Sequence, residues 1–319
     1  MQKKVTILIP CFNEENSLDI LYERLKQMTT NLQEYVFQIL LVNDGSKDNT
    51  LVKMKQLHDL DNSVSYLSLS RNFGKENAML AGLDYAEGDA VILMDADLQD
   101  PPELIPQMLK EWEKGYDDVY ARRRSRAGET WVKKTTAHCY YRILQKFADI
   151  DIPADVGDFR LLDRQAVEAL CSLREKQRYT KGLFSWIGYN KKELLFDRDP
   201  RAIGTSKMNF VKLFGLAVDG ITSFSVAPLR LASFLGILIS TIAFVYLLFV
   251  IGKTLLFGDP VAGYPSMISI ILFIGGIQLV VLGIIGEYVG RIFYEAKDRP
   301  DYLVREYNGK KIYCKDFER

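Results

Sequence analysis

Short apolar runs alternate with longer segments of helical periodicity over the first 120 residues. The apolar runs predict buried strands, and segments with apolar residues every three or four positions predict helices. Strands are predicted at residues 5–10, 37–44, 64–70, 90–94 and 117–121. Helices are predicted at residues 16–28, 50–60, 76–86 and 103–113. This alternation predicts a mostly parallel sheet that is covered by helices on both faces.

Polar clusters follow four of the predicted strands. In chain order they read CFNEEN, NDGSKDNT, SRNFGKEN and DADLQDPPE. In a parallel α/β sheet, ligands bind beyond the carboxyl ends of the strands. We therefore expect the four clusters to line one edge of the sheet and to form a binding site there.

Three carboxylates, Asp95, Asp97 and Asp100, follow the fourth strand within six positions. Like charges at this spacing oppose each other's ionisation, so a nearby cation is expected. Mg²⁺ and Mn²⁺ prefer oxygen ligands and commonly bridge carboxylates to nucleotide phosphates. An Asp-x-Asp pair alone is weak evidence, but its place after a strand, with the extra oxygen of Gln99, favours a metal site. No phosphate-binding loop of ATPases and no dinucleotide-binding glycine motif is found, which disfavours both classes.

Two uncharged apolar stretches, residues 231–252 and 260–286, dominate the last third of the chain. About 20 apolar residues of helix cross a bilayer core of about 30 Å, so both stretches qualify as membrane spans. The alternative is a pair of buried helices in a soluble core, although such long helices normally carry charges. The loop at 253–259 has one basic residue and the tail after 287 has eight. The positive-inside rule therefore predicts that both termini lie in the cytoplasm.

Composition narrows the function classes further. The 41 basic and 41 acidic residues balance among 319, so no charge bias indicates nucleic-acid binding. The four cysteines are far apart, which argues against a zinc site or a disulfide framework and suits a reducing compartment. Between residues 122 and 230, basic and aromatic residues interleave. Helices of this composition lie in membrane interfaces, although an ordinary amphipathic helix packed on the sheet is the alternative.

The ordered motifs resemble those of one enzyme family. IPCFNEE, VNDGSKDNT, LSRNFGKENAMLAG, MDADLQDPPE and GDFRLLDR, with the two apolar stretches, are similar to family-2 glycosyltransferases of the polyprenyl-phosphate type. This group includes dolichol-phosphate mannose synthase and bactoprenol glucosyltransferases. The resemblance implies a Rossmann-like GT-A α/β catalytic domain with a mostly parallel sheet, followed by interfacial helices and two transmembrane helices.

The resemblance also implies domain boundaries. A cytoplasmic GT-A domain is expected at residues 1–205 and interfacial amphipathic helices at 206–229. A transmembrane hairpin is expected at 230–290, with helices at about 231–252 and 264–287, followed by a cytoplasmic tail at 291–319. The protein is then expected in the inner or plasma membrane of a bacterium, as a multi-pass protein with a cytoplasmic catalytic domain.

The implied activity is metal-dependent, inverting transfer of a hexose to polyprenyl (undecaprenyl) phosphate for modification of a cell-envelope glycan. UDP-glucose is the expected donor, although glucose, mannose, N-acetylglucosamine and aminoarabinose donors all fit the family's pattern. The expected cofactor is Mg²⁺ or Mn²⁺. Expected partners are the membrane, further copies of the chain (a tetramer by resemblance), a flippase and a downstream membrane glycosyltransferase, but no nucleic acid.

Two other functions remain as alternatives. A processive polysaccharide synthase typically has more spans and a Gln-x-x-Arg-Trp signature, neither of which is found in this sequence. A non-catalytic, membrane-tethered nucleotide-sugar sensor is disfavoured by the intact Asp95-Ala96-Asp97 and by the RAIGTSK motif at 201–207.

The resemblance implies a role for each matching residue. The nucleotide is expected to contact Pro10, Phe12, Glu14, Asp44, Lys75, Asp95 and Ala96, with Lys75 near the base. The metal is expected on Asp95, Asp97 and Gln99. Catalytic roles are expected for Asp97, Asp158 and Arg201, with Asp158 facing the sugar. The acceptor and its phosphates are expected to contact Arg122, Lys133, Lys134, Thr136, Ser206 and Lys207.

Simpler structural roles compete with some of these assignments. Glu14 is placed to cap the helix that follows it. Asp44 precedes a glycine and fits a turn, and Asp158 is close in sequence to two arginines that could pair with it. Arg122 belongs to a basic run that fits a solvated surface. The sequence leaves these alternatives open.

Overall fold

The computed structural model describes residues 2–124, 156–196, 227–257 and 263–313. The strands are β1 Lys3–Cys11, β2 Tyr35–Asn43, β3 Val64–Leu69, β4 Ala90–Leu93, β5 Asp118–Arg123, β6 Val156–Asp163, β7 Lys191–Phe196, β8 Val304–Tyr307 and β9 Lys310–Lys311. The helices are α1 Leu18–Thr30, α2 Thr50–Leu60, α3 Lys75–Tyr85, α4 Ile105–Glu113, α5 Arg164–Ser172, α6 Thr180–Trp186, α7 Ala227–Phe257 and α8 Tyr264–Ala296. A short 3₁₀ turn, Pro102–Leu104, precedes α4.

One sheet unites all nine strands in the order β7-β5-β6-β4-β1-β2-β3-β8-β9. Its centre, from β4 through β1 and β2 to β3, is parallel, as is the β5–β7 pair. The predicted α/β fold is confirmed. Strand β6 lies antiparallel between β4 and β5. Its first residues therefore lie on the edge where β4 and β5 end, which brings a segment distant in sequence to the expected binding edge.

Alternating side chains of the central strands fill two apolar layers. Ile7 and Ile9 of β1 pack with α1, α2 and α4 on one face, whereas Leu8 packs with α3, α5 and α6 on the other. This alternation is the period-two pattern of a strand that is buried on both faces. Gly82 of α3 lies directly over Leu8, because a Cβ atom there would come within 2.1 Å of a Leu8 methyl group. The close contact fixes α3 on the sheet.

A buried ion pair joins the strands that flank the expected site. Arg160 of β6 contacts Asp118 of β5 at 2.9 Å, and both side chains are almost fully buried. The guanidinium also lies 3.6 Å from the centre of the Phe184 ring of α6. Because charges removed from water need a partner, this pair ties β5, β6 and α6 together.

Helix α7 contains the first apolar stretch, and α8 begins at Tyr264 within the second. Both helices are longer than the predicted 231–252 and 264–287. The segments Pro228–Tyr246 and Phe273–Ala296 are long and apolar enough to cross a membrane, and at most 6% of either is buried. A core helix of a soluble protein would be largely covered, so this exposure favours membrane spans. Of the predicted interfacial region 206–229, residues 206–226 lie outside the described residues, and 227–229 belong to α7.

The C-terminal segment, predicted as a cytoplasmic tail from residue 291, joins the nine-stranded sheet. Helix α8 continues to Ala296, and β8 then pairs antiparallel with β3. Asn308 extends the pairing, because its backbone N–H donates to the Tyr66 carbonyl and its side-chain oxygen accepts from the Tyr66 N–H. The domain and the end of α8 therefore lie on the same side of any membrane that the two helices cross.

We predict that Asp118→Ala destabilises the α/β domain by roughly 3–5 kcal/mol, because it leaves the Arg160 charge buried without its partner. The matched control is Glu103→Ala, which removes the exposed contact with Arg24 and is expected to cost less than about 1 kcal/mol. Denaturant unfolding in detergent, followed by tryptophan fluorescence, measures both changes. Equal unfolding midpoints for the two variants would contradict the structural role of the pair.

Candidate active site

A pocket of about 260 Å³ opens at the carboxyl edge of the central strands. Loops after β1, β2, β3 and β4 form it, as the four polar clusters predict. The lining residues are Pro10, Cys11, Phe12, Glu14, Asp44, Asn72, Gly74, Lys75, Ala78, Asp95, Ala96 and Asp97. The structure thus brings together all seven residues predicted to contact the nucleotide, and one further predicted metal ligand.

The loops after β2 and β3 are fastened to each other beside the pocket. The Asp44 carboxylate accepts hydrogen bonds from the backbone N–H groups of Phe73 at 2.7 Å and Gly74 at 3.0 Å. Burial raises the pKa of Asp44, and these two bonds oppose the shift. Gly45 has φ +64°, and a Cβ atom there would lie 2.4 Å from the Arg71 carbonyl carbon. Asp44 therefore has two roles. Its hydrogen bonds hold the turn after β2 against the loop after β3, as the simpler structural role predicts, and it also lines the pocket.

Lys75, the first residue of α3, connects two carboxylates from distant parts of the chain. Its ammonium lies 2.6 Å from Asp95 Oδ1 and 2.5 Å from Asp158 Oδ2. Burial alone would lower the pKa of Lys75, but the charges of Asp95 and Asp158 outweigh it and raise that pKa. The lysine is therefore a fixed positive charge in the pocket wall.

Asp158 lies near the start of β6, with a side chain that is only 10% exposed. Burial would raise the pKa of Asp158, but the charges of Lys75 and then Lys181 lower it to about 2. Its Oδ1 atom is buried and has no hydrogen-bond partner within the described part of the chain. Asp158 is thus ionised at neutral pH, and it contacts the pocket-lining Lys75 without lining the pocket itself.

The two arginines near Asp158 in sequence have other partners. Arg160 pairs with Asp118, and Arg164 donates to the backbone carbonyls of Ala86 and Gly88. In the described residues the partner of Asp158 is instead Lys75, so the geometry does not support the alternative in which Asp158 serves only to pair with an arginine.

A second acidic residue, Glu76, lies close to this cluster. Its carboxylate accepts from the backbone N–H of Thr180 at 3.2 Å, which fastens the start of α6 to the start of α3. Burial, followed by the charge of Asp158, raises the pKa of Glu76. The sequence alone indicates no role for Glu76 or Lys181, because their proximity to Asp158 depends on how α6 lies relative to α3.

The loop after β4 concentrates negative charge. Asp100 is buried and accepts from the backbone N–H of Asp95 at 3.2 Å. Burial, followed by the charges of Asp95 and Asp97, raises the pKa of Asp100 to about 7. Leu98 has φ +61°, a conformation that is uncommon for a bulky residue and costs conformational energy. This strained residue lies in the loop that carries the three carboxylates Asp95, Asp97 and Asp100.

The donor set at this loop fits a hard divalent cation. Asp95 and Asp97 line the pocket, and the buried Asp100 adds a third carboxyl group on the same loop. Among the described residues no three His, Cys, Asp or Glu side chains converge to hold a metal by themselves. Two carboxylates suit a cation whose other ligands are phosphate oxygens and water. Gln99, the third predicted ligand, is buried and does not line the pocket.

Two further predicted residues, Glu14 and Arg122, have partners at the edge of the sheet. Glu14 accepts from the Ser17 hydroxyl at 2.8 Å just before α1, so it supports the start of this helix as well as lining the pocket. Arg122 contacts Glu193 at 3.0 Å and pairs with Val156 across β5 and β6, close to the start of β6. Six other predicted residues, Lys133, Lys134, Thr136, Arg201, Ser206 and Lys207, lie outside the described residues.

Comparison with known proteins agrees with this architecture. The family model "Glycosyl transferase family 2" matches residues 6–171, and the model "GtrB C-terminal hairpin" matches residues 227–292. An uncharacterized glycosyltransferase of Synechocystis, sll0501, is 49% identical over 96% of both chains. The bactoprenol glucosyl transferase of the SfII prophage in Shigella flexneri is 43% identical over 95% of this chain and 98% of its own.

Among solved structures, glucosyl-3-phosphoglycerate synthase of Mycobacterium tuberculosis, in complex with Mn²⁺, UDP-glucose and phosphoglyceric acid, is 14% identical with a TM-score of 0.44. The match covers 67% of this chain and 76% of that one. The family assignment depends instead on the family models and on relatives that match along nearly the whole chain. The protein is therefore a member of glycosyltransferase family 2 that carries a GtrB C-terminal hairpin.

Proposed function

We propose that the protein transfers glucose from UDP-glucose to a polyprenyl phosphate, with inversion at the anomeric carbon. The observation that carries the proposal is the contact of Lys75 with Asp95 and Asp158 beside Asp97, where Lys75, Asp95 and Asp97 line a pocket at the carboxyl edge. This arrangement suits a nucleoside diphosphate with its sugar. The relative named bactoprenol glucosyl transferase supports the acceptor class and the sugar.

The donor would occupy the pocket along the loops after β1 to β4. Pro10, Phe12 and Glu14 would border the nucleotide, and Asp44 would hold the adjoining loop in place. Asp95 and Asp97 would hold Mg²⁺ or Mn²⁺. When bound, the ion would stabilise the charge of the departing diphosphate. Arg201, Ser206 and Lys207 are proposed to contact the same phosphates.

The reaction needs no strong base, because the attacking group is a phosphate that is already anionic at neutral pH. One of its oxygens forms a bond to the anomeric carbon while the bond from that carbon to the oxygen of the β-phosphate breaks. The nucleoside diphosphate leaves from the opposite face, which inverts the anomeric centre. Lys75 holds Asp158 ionised. Asp158 would accept a hydrogen bond from a sugar hydroxyl and thereby orient the ring.

The acceptor would reach the pocket from the membrane. Helices α7 and α8 would form a hairpin in the cytoplasmic membrane of a bacterium, with both termini in the cytoplasm. Arg122, Lys133, Lys134 and Thr136 are proposed to meet the lipid phosphate. The proposal extends to assembly with further copies of the chain, and to a flippase and a second membrane glycosyltransferase that act on the product.

A direct assay separates this function from its two rivals. Purified protein is incubated with undecaprenyl phosphate, Mg²⁺ or Mn²⁺, and one radiolabelled donor at a time: UDP-glucose, UDP-N-acetylglucosamine or GDP-mannose. We expect a lipid-linked monosaccharide, formed fastest from UDP-glucose. A water-soluble polymer would instead support the processive synthase, and donor binding without transfer would support the sensor. A different preferred donor would contradict only the choice of glucose.

We predict that Asp97→Asn lowers turnover by about 100-fold or more, because loss of one electrostatic contact with the departing charge typically costs 10²–10³-fold. EDTA is expected to abolish turnover, and added Mg²⁺ or Mn²⁺ to restore it. The matched control is Asp59→Asn, an exposed carboxylate on α2, which should leave turnover unchanged. Full activity of either the Asp97 variant or the metal-free protein would contradict the metal assignment.

A further inference from the structure

The segment that follows α8, residues 297–304 (the post-hairpin segment), holds both ends of one pocket element. The Leu303 carbonyl accepts from the backbone N–H of Ser70 at 2.8 Å, directly after β3. The Tyr302 hydroxyl donates to Asp84 at 2.5 Å, near the end of α3. Residues 70–84 comprise the pocket-lining loop after β3 and all but the last residue of α3, including Lys75. This pocket element is therefore fastened at both ends to the chain that leaves the second long helix.

Two basic residues from the loop after α5 reinforce these contacts. Arg174 makes two hydrogen bonds to the Asp84 carboxylate, at 2.7 and 2.8 Å. Lys176 contacts Asp301 at 3.2 Å and Asp298 at 3.3 Å through its ammonium, and its backbone N–H donates to Glu295 at 2.8 Å. Glu295 lies in the last turn of α8. The loop thus contacts the pocket element, the post-hairpin segment and the long helix at once.

The geometry of these contacts distinguishes them from ordinary surface ion pairs. The side chains of Asp84 and Asp301 are only 9% and 8% exposed, and the Arg174–Asp84 contact is bidentate. Bidentate, partly buried pairs fix orientation more strongly than exposed single contacts. Burial, followed by the charge of Asp84, raises the pKa of Tyr302, so this hydroxyl remains a donor at neutral pH.

The position of the pocket relative to the membrane follows from this connection. The eleven residues of α3 rise about 15 Å from Lys75 to Tyr85 at about 1.5 Å per residue. A tilt at the Asp84 end therefore displaces the Lys75 end. The phosphate of a lipid acceptor has a fixed depth at the membrane surface, so transfer requires the pocket to be held at that depth.

We propose that Arg174 and Lys176 are positioning residues, which lock the pocket element to the end of α8 so that the donor site lies within reach of a membrane-bound phosphate. This inference depends on the proposed lipid acceptor. In this inference the post-hairpin segment holds the donor site within reach of the acceptor, in addition to the anchoring of the protein in the membrane by the hairpin.

The test compares two acceptors in the double variant Arg174→Gln/Lys176→Gln. For undecaprenyl phosphate in lipid bilayers, we expect KM to rise about tenfold, since misplacement by about 1 Å can cost up to 10²-fold. For a short, water-soluble prenyl phosphate, and for the donor, KM should not change. The matched control Arg24→Gln/Lys26→Gln removes two ion pairs of α1 and should behave as the parent.

Two results would overturn the inference: no change with either acceptor, or an equal change with both, which would mark a general effect on the site. Lys176→Gln alone, which keeps the Arg174–Asp84 contact, provides a milder variant should the double variant unfold. Hydrogen exchange gives a readout that is independent of activity. Amides of residues 70–74 should exchange faster in the variant than in the parent, and equal exchange rates would contradict the connection.

Failure of the proposed function gives a different result. A parent protein that transfers sugar to neither acceptor contradicts lipid-phosphate transfer itself, whatever the variants do. The exchange rates of residues 70–74 then still decide whether Arg174 and Lys176 lock the pocket element to α8.

Discussion

The shared ion contact of Lys75 with Asp95 and Asp158 is the interaction on which the pocket depends. The pocket collects carboxylates from three parts of the chain, and partly buried like charges destabilise each other. Lys75 compensates two of them and fixes the ends of β4, β6 and α3 relative to one another. Asp100 lies on the same loop as Asp95 and Asp97, and burial, followed by the charges of these two residues, raises the pKa of Asp100 to about 7. The negative charge of this loop is the basis of the proposed site for a cation with a diphosphate.

The topology of the sheet explains how these residues meet. Parallel strands β1 to β4 present their loops on one edge, which is the general property of such sheets. Strand β6 is inserted antiparallel between β4 and β5, so its beginning, and not its end, carries Asp158 to that edge. The C-terminal strand β8 then adds to the far side of β3 and connects the same edge to the long helix α8. The pocket, Asp158 and the connection to α8 thus lie on one edge of the sheet.

The sequence predicted the parts of this arrangement that depend on local patterns. The first five strands, the four polar clusters and both apolar helices follow from periodicity, and the family's motifs pointed to the residues of the pocket. The orientation of β6 and the pairing of β8 with β3 could not be predicted, because they depend on contacts between residues far apart in sequence. A four-residue strand such as VREY is too short to give a periodic signal.

The same limit applies to individual site residues. The resemblance implies that Lys75 lies near the base, and the structure adds two partners that the motifs do not indicate, the carboxylates of Asp95 and Asp158. Glu76 and Lys181 carry no motif, and their place beside Asp158 becomes visible only once α6 is packed on α3. Gln99 follows the motif in sequence, yet its burial separates it from the pocket lining.

The most direct measurement is the affinity of the purified protein for UDP, determined by calorimetry in metal-free buffer and again with saturating Mn²⁺. If the carboxylates around Lys75 need a cation in order to accept a diphosphate, Mn²⁺ should tighten UDP binding by at least about tenfold, or about 1.4 kcal/mol. Equal affinity in both buffers would contradict the central claim, because Lys75 alone would then balance the charge of the pocket.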